Sequence, residues 1–173
     1  ALGNTIYMKF KVINKGVDTL QDTYLSLWSD PDVGDPSTDL VGCDTVLSLG
    51  YAYNDGPDNI YGDAPPAVGY DFLQGPTVRS PGDSALMDGH YVYGYRHLPI
   101  TSFNKCMNGT DPASSIQSYN YMRGLSVAGD SVADPDGQVT AFQVAGDPVG
   151  GTGWLDVSAG DRRLIMSSGP FTM

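Results

Sequence analysis

The chain has 173 residues, 40% of them hydrophobic, which suits one folded domain that removes roughly two-thirds of its unfolded surface from water. Its charge is lopsided: 20 acidic residues, every one Asp and none Glu, oppose nine Lys and Arg for a net charge of -11. That balance argues against nucleic acid and anionic membrane surfaces as partners, since both need a basic footprint, and makes a divalent cation the natural counter-charge.

Composition also sets the fold class. Asp favours turns, caps and oxygen-rich metal loops over helix interiors, and 22 Gly and 12 Pro add frequent chain reversals. The expectation is a mainly β chain of strands joined by many turns. No apolar run approaches the ~20 residues of a membrane helix, so membrane insertion is not expected. Ala1 opens no signal-peptide pattern, which reads as a cytosolic or already processed chain.

In chain order, Ile6, Met8, Phe10 and Val12 alternate with Tyr7, Lys9 and Lys11, predicting a half-buried first strand over 6–12. Asn14-Lys15-Gly16 signals a turn, and a second strand is predicted over 23–28. A loop dense in Asp, Pro and Gly runs from Ser29 to Asp39, followed by a third strand over 46–53. Residues 54–58 read as a turn, 64–67 as a stiff connector, 68–73 as a strand, 75–89 as turn-rich, and 91–95 as a short strand. One short helix is predicted over 112–123, with Asp111 as cap, Pro112 at its first position, and Ile116, Tyr119 and Met122 at helical spacing. Late strands are predicted over 139–144 and 163–167. Cys43 and Cys106 could form one bridge or remain two buried thiols; the sequence leaves both readings open.

The most informative segment is Asp30-Pro31-Asp32-Val33-Gly34-Asp35 with Asp39 and Asp44: five carboxylates within fifteen residues. Held together without a cation they would repel and raise one another's pKa. Ca²⁺ accepts 6–8 oxygens in flexible geometry and removes that cost. The loop is not an EF-hand, because counting from Asp30 puts Gly34 fifth and Val41 twelfth where that loop needs Gly sixth and Glu twelfth. The competing reading is a solvated turn whose Asp side chains cap backbone groups. Asn54, Asp55 and Asp58 form a weaker second candidate, and Asp134-Pro135-Asp136-Gly137 reads as a plain turn.

No catalytic constellation stands out. Gly82-Asp83-Ser84 and Gly129-Asp130-Ser131 faintly echo esterase nucleophiles, but His90 and His97 lie mid-chain and no Gly-x-Ser-x-Gly elbow is present. The two histidines lack a cysteine cluster for zinc. Eleven Tyr and two Trp could offer a glycan platform, although such rings more often fill sandwich cores and rims. Asn108-Gly109-Thr110 matches a glycosylation acceptor. The chain is therefore read as a non-enzyme.

Several segments carry a resemblance: Asn4-Thr5-Ile6-Tyr7-Met8-Lys9-Phe10, Leu27-Trp28-Ser29-Asp30-Pro31-Asp32, Asp39 to Thr45, Pro65 to Phe72, Tyr119 to Gly124, and Gly146 through Trp154 and Asp161-Arg162-Arg163 to Met173. Together they resemble a β-rich module of large secreted or surface bacterial proteins exported by a C-terminal sorting signal. The opening strand-turn-strand is similar to an adhesion-type immunoglobulin-like module. The resemblance implies an extracellular or cell-surface location and a single immunoglobulin-like β-sandwich over 1–173, with a long Asp/Gly/Pro-rich insertion at about 30–160. Relatives continue past Gly169-Pro170-Phe171-Thr172 with a turn and another apolar strand, whereas this sequence stops at Met173, which implies a missing final strand. An unpaired edge invites strand addition. The expected role is a calcium-stabilised subunit of a homo-oligomer or fibre, or one docked on neighbouring domains. The alternative is a carbohydrate- or protein-binding accessory module of a larger secreted protein.

Overall fold

A computed structural model describes residues 3–54 and 56–173. The chain is mainly β: 41% of it is strand and 6% helical. One antiparallel sheet joins β1 (Thr23–Ser29), β7 (Ser102–Met107) and β10 (Arg162–Phe171) in the order β1-β10-β7. A second joins β2 (Asp39–Asp44), β3 (Leu49–Asn54) and β4 (Val68–Asp71) in sequence order. β5 (Thr77–Met87) and β6 (His90–His97) form a hairpin, while β8 (Val132–Ala133) and β9 (Val139–Thr140) make a minimal ribbon.

The core lies between the two three-stranded sheets. Val41, Cys43 and Ala52 of the second sheet pack with Phe103, Leu164 and Met166 of the first, and Leu27, Val68 and Tyr70 close the margins. This is the sandwich solution, in which each sheet buries one apolar face against the other. The approach is tight at Gly50, where an added Cβ would lie 2.9 Å from the Phe103 ring, so only glycine fits there.

The one α-helix, α1 (Ser115–Met122), packs on the outer face of the first sheet through Tyr121, beside Cys106 and Ile165. It starts three residues later than predicted. Ser114, not Asp111, caps it by accepting from Gln117 N, and the Gln117 side chain accepts from Ala113 N.

Several predicted elements change. Residues 6–12 join no ladder among the described residues and stay exposed: their alternation is that of a strand, but no described strand pairs with it. The predicted strand over 46–53 is β3 with a later start, at Leu49, because residues 45–48 turn between β2 and β3. The turn-rich 75–89 is mostly β5, whose Ser80–Asp83 stretch is a register irregularity inside a strand. β2 and β7 had no counterpart in the sequence reading. β1, β4, β6 and β10 fall where strands were predicted, β10 being longer.

A candidate metal centre built on three aspartates

Two loop residues that follow β1, Asp30 and Asp32, meet Asp161, which precedes β10. One carboxylate oxygen from each lies within 4.8 Å of the others. The β1–β10 register causes this, since Ser29 pairs with Leu164 and so places the two loop ends side by side. Asp39, at the start of β2, lies beside this trio without belonging to it. It is fully buried, and the charges of Asp32, Asp161 and Asp35 act on it. Its Oδ2 accepts from Val33 N at 3.3 Å, while its Oδ1 is buried with no hydrogen-bond partner. Burial first, then those neighbouring carboxylates, push its pKa up to about 6.

The protein supplies one positive group here. Arg163 reaches Asp30 at 3.0 Å, Asp161 at 3.3 Å and Asp111 at 3.5 Å. The Asp161 oxygen facing Arg163 is buried and lacks hydrogen-bond geometry, so that contact is electrostatic only. Burial raises the Asp30 pKa despite the Arg163 charge. One guanidinium shared among this many carboxylates leaves the cluster strongly negative. The donor set is all oxygen and all anionic, which suits a hard cation such as Ca²⁺, and the unpartnered Asp39 oxygen fits the same demand. The three clustered carboxylates would supply part of its 6–8 oxygens, with water or main-chain carbonyls completing the shell.

The other predicted ligands are used differently. Asp35 accepts from Ser37 N and Oγ and from Asn59 Nδ2, contacts that lower its pKa, the Ser37 hydroxyl most. Asp44 accepts from Val46 N at 2.8 Å and Leu47 N at 2.9 Å, closing the β2–β3 turn. At the second candidate, Asp58 accepts from Asp35 N, Asn54 Nδ2, Ile60 N and Tyr61 N. The bond from Tyr61 N contributes most to lowering its pKa. Asp58 thus organises the loop through the chain's own donors. Gly34, at φ +84°, passes so close that any Cβ would collide with the Asp58 carboxylate. Asn54 Nδ2 also donates to Val33 O at 2.8 Å. Asp55 lies outside the described residues.

Asp161 and Arg163 were absent from the predicted ligand set because they stand more than a hundred residues away in sequence. The signal available was Asp161-Arg162-Arg163 opening an apolar strand, a run in which acid and base read as a local pair.

Elsewhere, His90 is exposed at the β5–β6 turn, whereas His97 is held by hydrogen-bond contacts. His97 Nε2 lies 3.0 Å from Leu86 O, and its Nδ1 lies 3.1 Å from Thr77 Oγ1 and 3.2 Å from Gly75 O. Cys43 and Cys106 are free thiols in separate packing clusters, and burial pushes their pKa values up to about 12 and about 11. No helix among the described residues is long and apolar enough to cross a membrane. No protein-family model matches the chain, and neither the curated proteins nor the solved structures contain one detectably similar to it.

Proposed function

We propose that the chain is a non-catalytic structural module that works outside the cell or at its surface, is stabilised by calcium, and self-associates by strand addition. The observation that carries the reading is the carboxylate cluster. Asp30, Asp32 and Asp161 converge, and next to Asp32 and Asp161 the buried Asp39 keeps an unpartnered oxygen, an arrangement whose cost a cation would relieve. Millimolar calcium outside cells matches the weak affinity of about 10⁻⁴–10⁻³ M common for extracellular modules.

Thermal unfolding in millimolar Ca²⁺, Mg²⁺ and chelator tests the calcium part. Stabilisation by Ca²⁺ that exceeds that by Mg²⁺ and is lost in Asp161→Asn is expected. Identical curves in calcium and chelator would sink it.

A binding module is the second reading, favoured by Tyr91 and Tyr93 on β6. They stand two residues apart, which puts them on one face of the strand, and Tyr93 is 83% exposed. A glycan array probed with the protein and with Tyr93→Ala tests it; binding lost in the variant would favour this reading.

A further inference from the structure

Residues 4–13 carry the alternation of a strand but form no strand and join no sheet. Ile6 is 84% and Phe10 77% exposed, and Met8 and Val12 stand with them on the same alternation. Among the described residues the segment pairs with no strand; its side-chain anchor is the ion pair of Lys9 with Asp88 at the β5–β6 turn. A repeated apolar face of this size left in water is unfavourable and marks an interaction surface.

The first sheet offers one place for it. The outer edge of β7 is covered by residues 141–143, through Phe103 N to Ala141 O at 2.9 Å and Gln143 N to Phe103 O at 3.0 Å. In the second sheet β2 is met by Val144 and Asp156, through Cys43 N to Val144 O at 3.3 Å and Val41 N to Asp156 Oδ2 at 3.3 Å. β1 is different. It is the end strand of its sheet, seven residues long, with no strand beyond it among the described residues. An end strand of that length is a template for another chain.

Charge selects the occupant. Residues 1–17 hold Lys9, Lys11 and Lys15 and no acid, a charge of +3. Against them, the remaining six Lys and Arg face all twenty Asp, so the rest of the chain stands at -14. Asp22 lies just before β1 and puts an acid at the open edge, while Asp30 and Asp32 just after it belong to the candidate metal cluster. A basic strand with one apolar face complements that edge, and this chain carries both parts.

We propose that residues 4–13 of one copy add to the outer edge of β1 of a second copy, so that each molecule is both donor and acceptor and the contact propagates head to tail. The contact uses different surfaces on the two partners, so it builds an open filament unless the rotation closes a ring. Main-chain bonds along β1 supply affinity, and the alternate apolar residues supply specificity. This inference rests on the self-association part of the proposed function.

Light scattering of the full chain across a concentration series, in calcium, tests it beside the double variant Met8→Asp/Phe10→Asp. A synthetic peptide of residues 4–13, titrated into that variant and followed by Trp28 fluorescence on β1, probes the acceptor directly. The expected result is concentration-dependent growth of the wild type that weakens with salt, a loss of about tenfold or more in self-affinity for the variant at unchanged melting temperature, and saturable peptide binding. A variant that assembles as well as the wild type, and a peptide that does not bind, would overturn the donor-strand inference while leaving self-association standing. A wild type that is monomeric at every concentration, with a peptide that does not bind, would overturn both.

Discussion

Two buried aspartates face the same problem and meet it differently. Asp156, 3% exposed, accepts from Arg162 Nε at 2.8 Å, Lys105 Nζ at 2.8 Å and Val41 N at 3.3 Å, tying β10, β7 and β2 together. Burial alone would raise its pKa, but the Lys105 and Arg162 hydrogen bonds outweigh burial and hold it below the usual carboxylate range. Asp39 has one backbone donor, no cation of its own and an orphaned oxygen. The chain neutralises one buried charge internally and leaves the other unpaired. On the proposed calcium reading, that difference separates a structural ion pair from a metal site, although both begin as an Asp in an acidic chain.

The largest effect should fall on the internally paired side. Asp156→Ala strands Arg162, which is 1% exposed, and should cost about 3–5 kcal/mol by denaturant unfolding, equally in calcium and in chelator. A cost that depended on calcium would blur the contrast.

The pH response should also differ. In chelator, the raised pKa of Asp39 means its protonated form fits the fold better than its ionised form. The stabilisation from that proton is fully present below the unfolded value of 3.8 and is lost as pH rises through about 6. The loss is on the order of 3 kcal/mol, and Asp39→Asn should remove this component from the stability-pH profile. Asp156 has the opposite sign: its contribution is present above the unfolded carboxylate value and is lost as pH falls through its lowered one.

Removing calcium comes next. Going from millimolar Ca²⁺ to chelator at neutral pH should cost about 1–2 kcal/mol, or about 2–8 °C in melting temperature, and Asp161→Asn should abolish most of that difference. The smallest effect belongs to Asp44. Asp44→Ala loses the turn bonds to Val46 and Leu47, costs about 0.5–1.5 kcal/mol, and leaves the calcium response intact.

Part of this was legible in the sequence. β6 and β10 stood out as β-branched and aromatic runs between turn residues, and the acidic loop after β1 announced itself by composition. β7 did not, because Ser-Phe-Asn-Lys-Cys-Met is buried on both faces and carries polar side chains with specific uses: Ser102 donates to Met122 O and Asn104 to Tyr121 O, holding the end of α1. β5 hid behind the Pro and Gly of its irregular stretch. Residues 6–12 show the reverse, a clear strand pattern whose partner is not in the chain's own sheets. For the site, Asp30, Asp32 and Asp39 were in view, but Asp161 comes from strand register, which local spacing does not encode.

Calorimetric titration of calcium into metal-free protein at neutral pH, for the wild type, Asp161→Asn and Asp44→Asn, tests the central claim most directly. The account predicts one calcium per chain for the wild type and Asp44→Asn, and binding weakened by about tenfold or more for Asp161→Asn. Equal binding by all three proteins, or none by the wild type, would contradict it.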